Sequence, residues 1–186
     1  MARIKTISHA DAAGRLLEIY DDLVKKRGKL AEIHQVQSLR PESIVKHMEL
    51  YMEIMFAKSE LSRSEREMMA VVVSVANGCA YCREHHLQAY MFYEKDNSKV
   101  SSVINWPLNN MLSEREAALC HFARSLTIDP KSHESNDYTA ALKTVGLSDP
   151  EILDAVLVIA YFNLVNRIVL SLGLEYTPEE AAGYKY

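Results

Sequence analysis

The stretch Glu67 to His86, EMMAVVVSVANGCAYCREHH, organises the rest of the chain. Met68 to Ala76 is apolar at helical spacing, and Asn77-Gly78 is a turn signal that ends it. A second helix is expected to begin near Cys79. Cys79 and Cys82 form a C-x-x-C, and residues three apart on a helix are neighbours on one face. His86 follows Cys82 by four residues and joins that face one turn on, whereas His85 points more to the side. At a helix N-terminus the unpaired N–H groups and the positive dipole end favour a thiolate. Glu67 on the helix before the break and His86 on the helix after it are candidates to carry a thiol proton away. If one helical face buries Glu67 beside Met68 and Met69, its pKa is expected to rise, making it a base or proton relay. The other reading is a solvated helix residue, as Glu65 and Arg66 are taken to be.

Outward from this stretch the pattern stays helical. Gly and Pro are few, no period-two run occurs, and the fold class read from the chain is all-α. A single helical domain is expected over 1–186, with N-terminal helices in 1–58 packing on a core in 59–176. Helix starts are signalled three times by L-S-x-x-E, at Leu61-Ser62, Leu112-Ser113 and Leu147-Ser148, each a capping box. Thr177-Pro178-Glu179-Glu180 has the same form, and Ser8-x-x-Asp11 is a weaker version. The helices expected are Ala10 to Lys26, a short segment in Leu30 to Leu39, Glu42 to Phe56, Ser64 to Ala76, and Tyr81 to Lys95. Ser98 to Ile104, Glu114 to Leu126, His133 to Val145 and Asp149 to Leu172 follow, with a short helical turn in the tail. A shift of 86 residues aligns Leu61-Ser62, Glu65 and Asn77 with Leu147-Ser148, Glu151 and Asn163. This reads as a diverged internal repeat whose second copy carries Val165, Ile168 and Leu172 in place of Cys79, Cys82 and His86. The alternative is that any two capped apolar helices align passably.

Composition narrows the function. The formal net charge of −4 and scattered basic residues argue against a nucleic-acid partner of the basic-patch kind. The most apolar run, Ile152 to Leu174, is interrupted by Asp154, Asn163, Asn166 and Arg167, so no membrane span is read there. The first residues lack the apolar core of a signal peptide, and a cytoplasmic location is expected. In a reducing compartment a C-x-x-C points to redox or metal chemistry rather than to a structural disulfide. Zinc held by Cys79, Cys82 and His86, with His85 or Glu67 as a fourth ligand, is the lesser reading, because no second pair at zinc spacing occurs. Cys120, between Leu119 and His121, is expected in the core. Tyr81 and Arg83 are read as exposed. His9, His34, His47, His121 and His133 show no spacing pattern and receive no role. Asn163, Asn166 and Arg167 are read as satisfying buried backbone, as a subunit contact, or as lining a pocket.

The spacing E-x11-C-x2-C-x3-H, made by Glu67, Cys79, Cys82 and His86, resembles that of the alkyl hydroperoxidase D proteins of the carboxymuconolactone decarboxylase-like superfamily. The longer string LSRSEREMMAVVVSVANGCAYCREHH, the segment EILDAVLVIAYFNLVNR and the N-terminal helices are similar to its peroxidase-related branch. The resemblance covers nearly the whole chain. It implies an all-helical homo-oligomer that reduces peroxides with thiols and with no metal or other cofactor. Carried over by position, it makes Cys82 the peroxide-attacking thiolate, Cys79 the resolving thiol, and Glu67 and His86 the proton relay. The position before the second cysteine, often His in the hydroperoxidase, is Tyr81 here, which removes one polar contributor. Electrons would come from an external dithiol. The competing functions are a redox sensor whose disulfide alters its assembly, and a lyase acting on a small carboxylated lactone.

Overall fold

Helix boundaries are written in capping side chains, and the structure forms them. In the computed structural model, which describes residues 2–181, the helices are α1 (Gly14–Arg27), α2 (Glu32–Gln35), α3 (Pro41–Phe56), α4 (Arg63–Ala76), α5 (Ala80–Tyr93), α6 (Asn97–Ile104), α7 (Glu114–Ile128), α8 (Thr139–Thr144), α9 (Asp149–Leu172) and α10 (Pro178–Ala181). A 3-10 turn, Pro130–Glu134, lies between α7 and α8, and the described residues contain no strand. Ser62, Ser113 and Ser148 accept hydrogen bonds from the amides of Glu65, Glu116 and Glu151, and each glutamate accepts one from its cap's own N–H. Each box thus satisfies two N–H groups that a helix start leaves orphaned. Thr177 caps Glu180 N–H through its hydroxyl, but the Glu180 carboxylate turns away to accept from the Glu32 amide. The end of the tail, 182–186, lies outside the described residues.

Some expectations change. Ser8 and Asp11 bond to each other at 2.6 Å, yet they close a turn, and α1 starts only at Gly14. The segment read as one helix from His133 to Val145 is instead the 3-10 turn followed by α8. Asp137 accepts from the amide and the hydroxyl of Thr139, and such local side-chain bonding competes with a continuous helix. Arg66, expected in solvent, is 5% exposed. Its guanidinium donates to the carbonyls of Leu61, Ile54 and Ala57, and so locks the end of α3 to the start of α4.

Helix α4 runs through the centre, with Met68, Met69, Ala70, Val71, Val72 and Val73 all buried. Helices α5, α7 and α9 pack around it, and a smaller cluster of Leu16, Ile19, Tyr20, Leu23 and Ile44 holds α1 to α3. By length and composition α9 would pass as a membrane span, more so than the sequence reading allowed. Its Ala155, Ile159, Phe162, Val165 and Val169 are buried in this core, which accounts for much of its apolar character.

The contact between α4 and α9 bears on the repeat. Arg115, from α7, donates Nε to Glu65 Oε1 at 2.6 Å and Nη2 to Glu151 Oε1 at 2.7 Å. About three turns further on, Asn77 Nδ2 donates to Asn163 Oδ1 at 3.1 Å. Both pairs are residues 86 apart. Equivalent residues share a partner at one end and meet at the other, so α4 and α9 are parallel neighbours in register, the arrangement that the repeat reading expects.

Asn77 Nδ2 also donates to Asn166 Oδ1 at 3.1 Å, and Asn166 has no solvent exposure. Asn77→Ala strips a donor from the buried Asn166 amide oxygen and from the half-buried Asn163 oxygen, and urea unfolding should show a loss of about 1–3 kcal/mol with helix content intact.

Candidate active site

The hairpin of α4 and α5 builds the site. Asn77 ends α4, Gly78 takes a positive φ of 67°, and Cys79 is the N-cap of α5. A left-handed residue at this point lets the chain reverse tightly enough for α5 to pack along α4. The turn also places Cys79 and Cys82 at a helix start in the protein interior, where both are free thiols and nearly fully buried. The Cys82 thiol, donating to the Cys79 sulfur, draws the Cys79 pKa down against the effect of burial, and the Cys82 amide adds to it. Cys82 moves the other way. Its proton is held by Cys79, burial adds to the rise, and the facing Asn166 amide only partly offsets it. Within the pair, this shared hydrogen bond favours the proton on Cys82 and the negative charge on Cys79. Cys120 lies in the core, and burial pushes its pKa up.

Glu67 has no solvent exposure. Its Oε1 accepts from Arg63 Nε at 3.0 Å and Nη2 at 2.6 Å, and its Oε2 accepts from His86 Nδ1 at 2.7 Å. Burial is the largest influence on this carboxyl and would raise its pKa, but His86 and Arg63 together outweigh it and the net direction is down. The expectation of a raised pKa is thus corrected: Glu67 stays ionised and holds the imidazole rather than exchanging protons itself. Because a carboxylate only accepts, Nδ1 of His86 carries the hydrogen, and Nε2 of the neutral ring is left as the proton acceptor. The edge-to-face contact with Phe162, centroids 4.4 Å apart, fixes the ring plane.

A cavity of about 100 Å³ opens beside these groups. Cys82, His85 and His86 line one side, and Tyr161, Phe162 and Val165 of α9 line another. Cys79 is not part of the lining, so Cys82 is the thiol that an entering molecule meets. Tyr81, read as exposed, is 5% exposed and donates its hydroxyl to Glu180 Oε1 at 2.7 Å. The His85 ring stacks on Tyr81, centroids 4.3 Å apart, and its Nδ1 bonds the Tyr81 carbonyl at 2.7 Å. The zinc reading finds no assembled ligand set: among the described residues no three His, Cys, Asp or Glu groups are arranged to hold a metal ion.

Sequence reasoning passed over the other wall. His34 and His47, given no role, both line the cavity, and the His47 Nε2 lies 2.8 Å from the Tyr161 hydroxyl. Asn166 had been singled out as polar within an apolar helix, and its amide faces Cys82. For His47 and Tyr161 the available signal was only that each sits at an inward position of an amphipathic helix, which any core residue shares.

Burial holds His34 and His47 neutral, with pKa values lowered to about 3 and about 4. The unfolded chain protonates both below about 6.5, so their contribution to stability is intact above that pH and is lost as pH falls toward the folded values. Thermal unfolding should weaken progressively between pH 6.5 and 4, and His47→Gln should flatten that slope.

Comparison with known proteins bears on the fold and on the segment that carries these residues. Residues 43–125, which include Glu67, Cys79, Cys82 and His86, match the carboxymuconolactone decarboxylase family. An uncharacterized peroxidase-related protein from Ralstonia eutropha JMP134, described as an alkylhydroperoxidase AhpD core, superposes with a TM-score of 0.83 at 25% identity, over 97% of this chain and 94% of that one. A second uncharacterized peroxidase-related protein, from Silicibacter sp. TM1040, gives 0.78 at 25% identity over 98% of both chains. The debrominase Bmp8 shares the fold at a TM-score of 0.79 and 19% identity, over 97% of this chain and 95% of its own. Its all-helical fold and these matches make the chain similar to the AhpD-like and carboxymuconolactone decarboxylase-like superfamily.

Proposed function

We propose that the protein is a thiol-dependent peroxidase in which Cys82 attacks, Cys79 resolves, and the Glu67–His86 pair moves the proton. The observation that carries this reading is the position of Cys82 on the cavity wall, one helical turn from an imidazole that a buried carboxylate holds at 2.7 Å. As peroxide enters, the Cys82 proton passes to His86 Nε2 and the sulfur attacks the terminal peroxide oxygen. An S–O bond forms, the O–O bond breaks, and the departing alkoxide or hydroxide takes the proton back from His86. Cys79 then attacks the sulfenic sulfur, water leaves, and a Cys79–Cys82 disulfide closes. A low pKa at Cys79 suits this second step, since it keeps the resolving thiol reactive and shortens the life of the sulfenic acid. An external dithiol, in a reducing compartment, returns the pair to thiols.

Peroxide consumption with several dithiol donors tests the reading. Cys82→Ser should abolish turnover, and Cys79→Ser should allow one oxidation without recycling. Glu67→Gln and His86→Ala should fold yet slow peroxide reduction by about a hundred- to ten-thousand-fold. Unchanged rates in both relay variants would falsify the assignment. One oxidation without turnover in the wild type points to a sensor, and activity surviving loss of both cysteines points to a lyase.

The outer face of α9 leaves Leu153, Leu157, Leu164 and Leu170 exposed, and α3 adds Leu50, Met52 and Phe56. Large apolar faces of this kind mark association surfaces. A homo-oligomer, at least a dimer, is the expected state, and a monomer mass in light scattering at micromolar concentration would refute it.

A further inference from the structure

The wall of the cavity formed by His47 and Tyr161 has a defined hydrogen-bond direction. Gln37 Nε2 donates to the Ile33 carbonyl at 2.8 Å, which settles the orientation of its amide, and the same Nε2 lies 3.1 Å from His47 Nδ1, to which its remaining hydrogen is donated. Nδ1 is therefore an acceptor. Burial keeps the imidazole neutral, so its one hydrogen is on Nε2. That N–H donates to the Tyr161 oxygen at 2.8 Å. With its oxygen occupied in this way, the Tyr161 hydroxyl has its own proton left to give, and Tyr161 lines the same cavity as Cys82. Burial, with Cys82 among the nearby groups, raises the Tyr161 pKa well above the ordinary phenol value, so the proton stays on the oxygen. His34 lines the same cavity at 7% exposure, and its Nδ1 has no hydrogen-bond partner among the described residues. Three neutral polar groups, supplied by α2, α3 and α9, thus meet at a cavity lined mainly by apolar and aromatic side chains.

We infer that Tyr161 is a further catalytic residue: its hydroxyl donates a hydrogen bond to the leaving oxygen of the peroxide, with His47 and Gln37 as the positioning residues that aim it. The inference rests on the peroxidase reading. In the step already described, negative charge develops on the oxygen that departs from the bond to Cys82. A donor fixed before the reaction stabilises that charge without reorganisation. Tyr161 keeps its proton throughout, so the balance is unchanged: the Cys82 proton still reaches the leaving oxygen through His86. The donor acts only where an oxygen leaves, and thiol attack on a reagent with another leaving group does not need it.

The test compares two reactions of the same thiol by stopped flow. Tyr161→Phe should slow oxidation of Cys82 by hydrogen peroxide by about a hundredfold, as loss of one oxyanion donor does, and leave its alkylation by iodoacetamide unchanged. His47→Gln should slow the peroxide reaction by less, mainly through kcat, again with alkylation unchanged. It also serves as the second variant should Tyr161→Phe fail to fold by circular dichroism. Equal slowing of both reactions, or no slowing of either, overturns the role of Tyr161 while wild-type peroxide turnover keeps the peroxidase reading standing. Absence of turnover in the wild type overturns that reading and this one with it.

Discussion

A carboxylate with no solvent exposure needs hydrogen-bond donors around it, and Glu67 obtains them from two helices. Arg63 comes from its own helix, one turn back. His86 comes from α5, across the Asn77-Gly78 turn. Leaving either oxygen unpaired would strand a buried charge, which costs far more than an exposed pair returns. The need is therefore geometric: the pair sets the register of α5 against α4, and with it the place of Cys82. Arg63 extends the constraint further, since it also donates to the Met55 carbonyl and lies 3.6 Å from the Phe56 ring centroid. One anion thus ties α3, α4 and α5 together around the thiols.

The thiol pair divides its labour by position. Cys79 is the helix cap, buried behind the cavity and made acidic by its neighbour. Cys82 faces the cavity and keeps its proton until a base takes it. A helix start alone would favour ionisation of either sulfur. The S–H of one donating to the sulfur of the other decides which. The family match at 43–125 covers the thiol wall and His47, whereas Gln37 and Tyr161 lie outside it. The wall opposite the thiols is thus largely contributed by segments beyond the matched region.

The sequence showed most of the helices because their ends are encoded by nearby residues. Ser62, Ser113 and Ser148 could be read as caps without knowing the fold. Glu67, Cys79, Cys82 and His86 were legible because the helical repeat and a single turn relate them. The assignments that failed depend on distant partners. Arg66 looks like a surface arginine until the end of α3 supplies carbonyls. Tyr81 looks exposed until Glu180, from the far end of the chain, accepts its hydroxyl. His47 and Tyr161, far apart in the chain, meet only in the folded protein. The direction of the Glu67 shift was missed for the same reason: burial was inferred, but not the two donors, Arg63 and His86, that answer it.

Gly78 has its counterpart in Leu164, 86 residues on. At the first position the chain takes a left-handed step and a new helix starts; at the second, α9 continues unbroken from Asp149 to Leu172. Inside α9 each amide is already committed to a carbonyl one turn back, so no free N–H is available to steady an anion. Cysteines grafted at Val165 and Ile168 would occupy the equivalent sites and remain ordinary buried thiols. What separates the two halves of the molecule chemically is a change of backbone path before it is a change of side chain. A gain or loss of reactivity by either half would have to pass through the glycine.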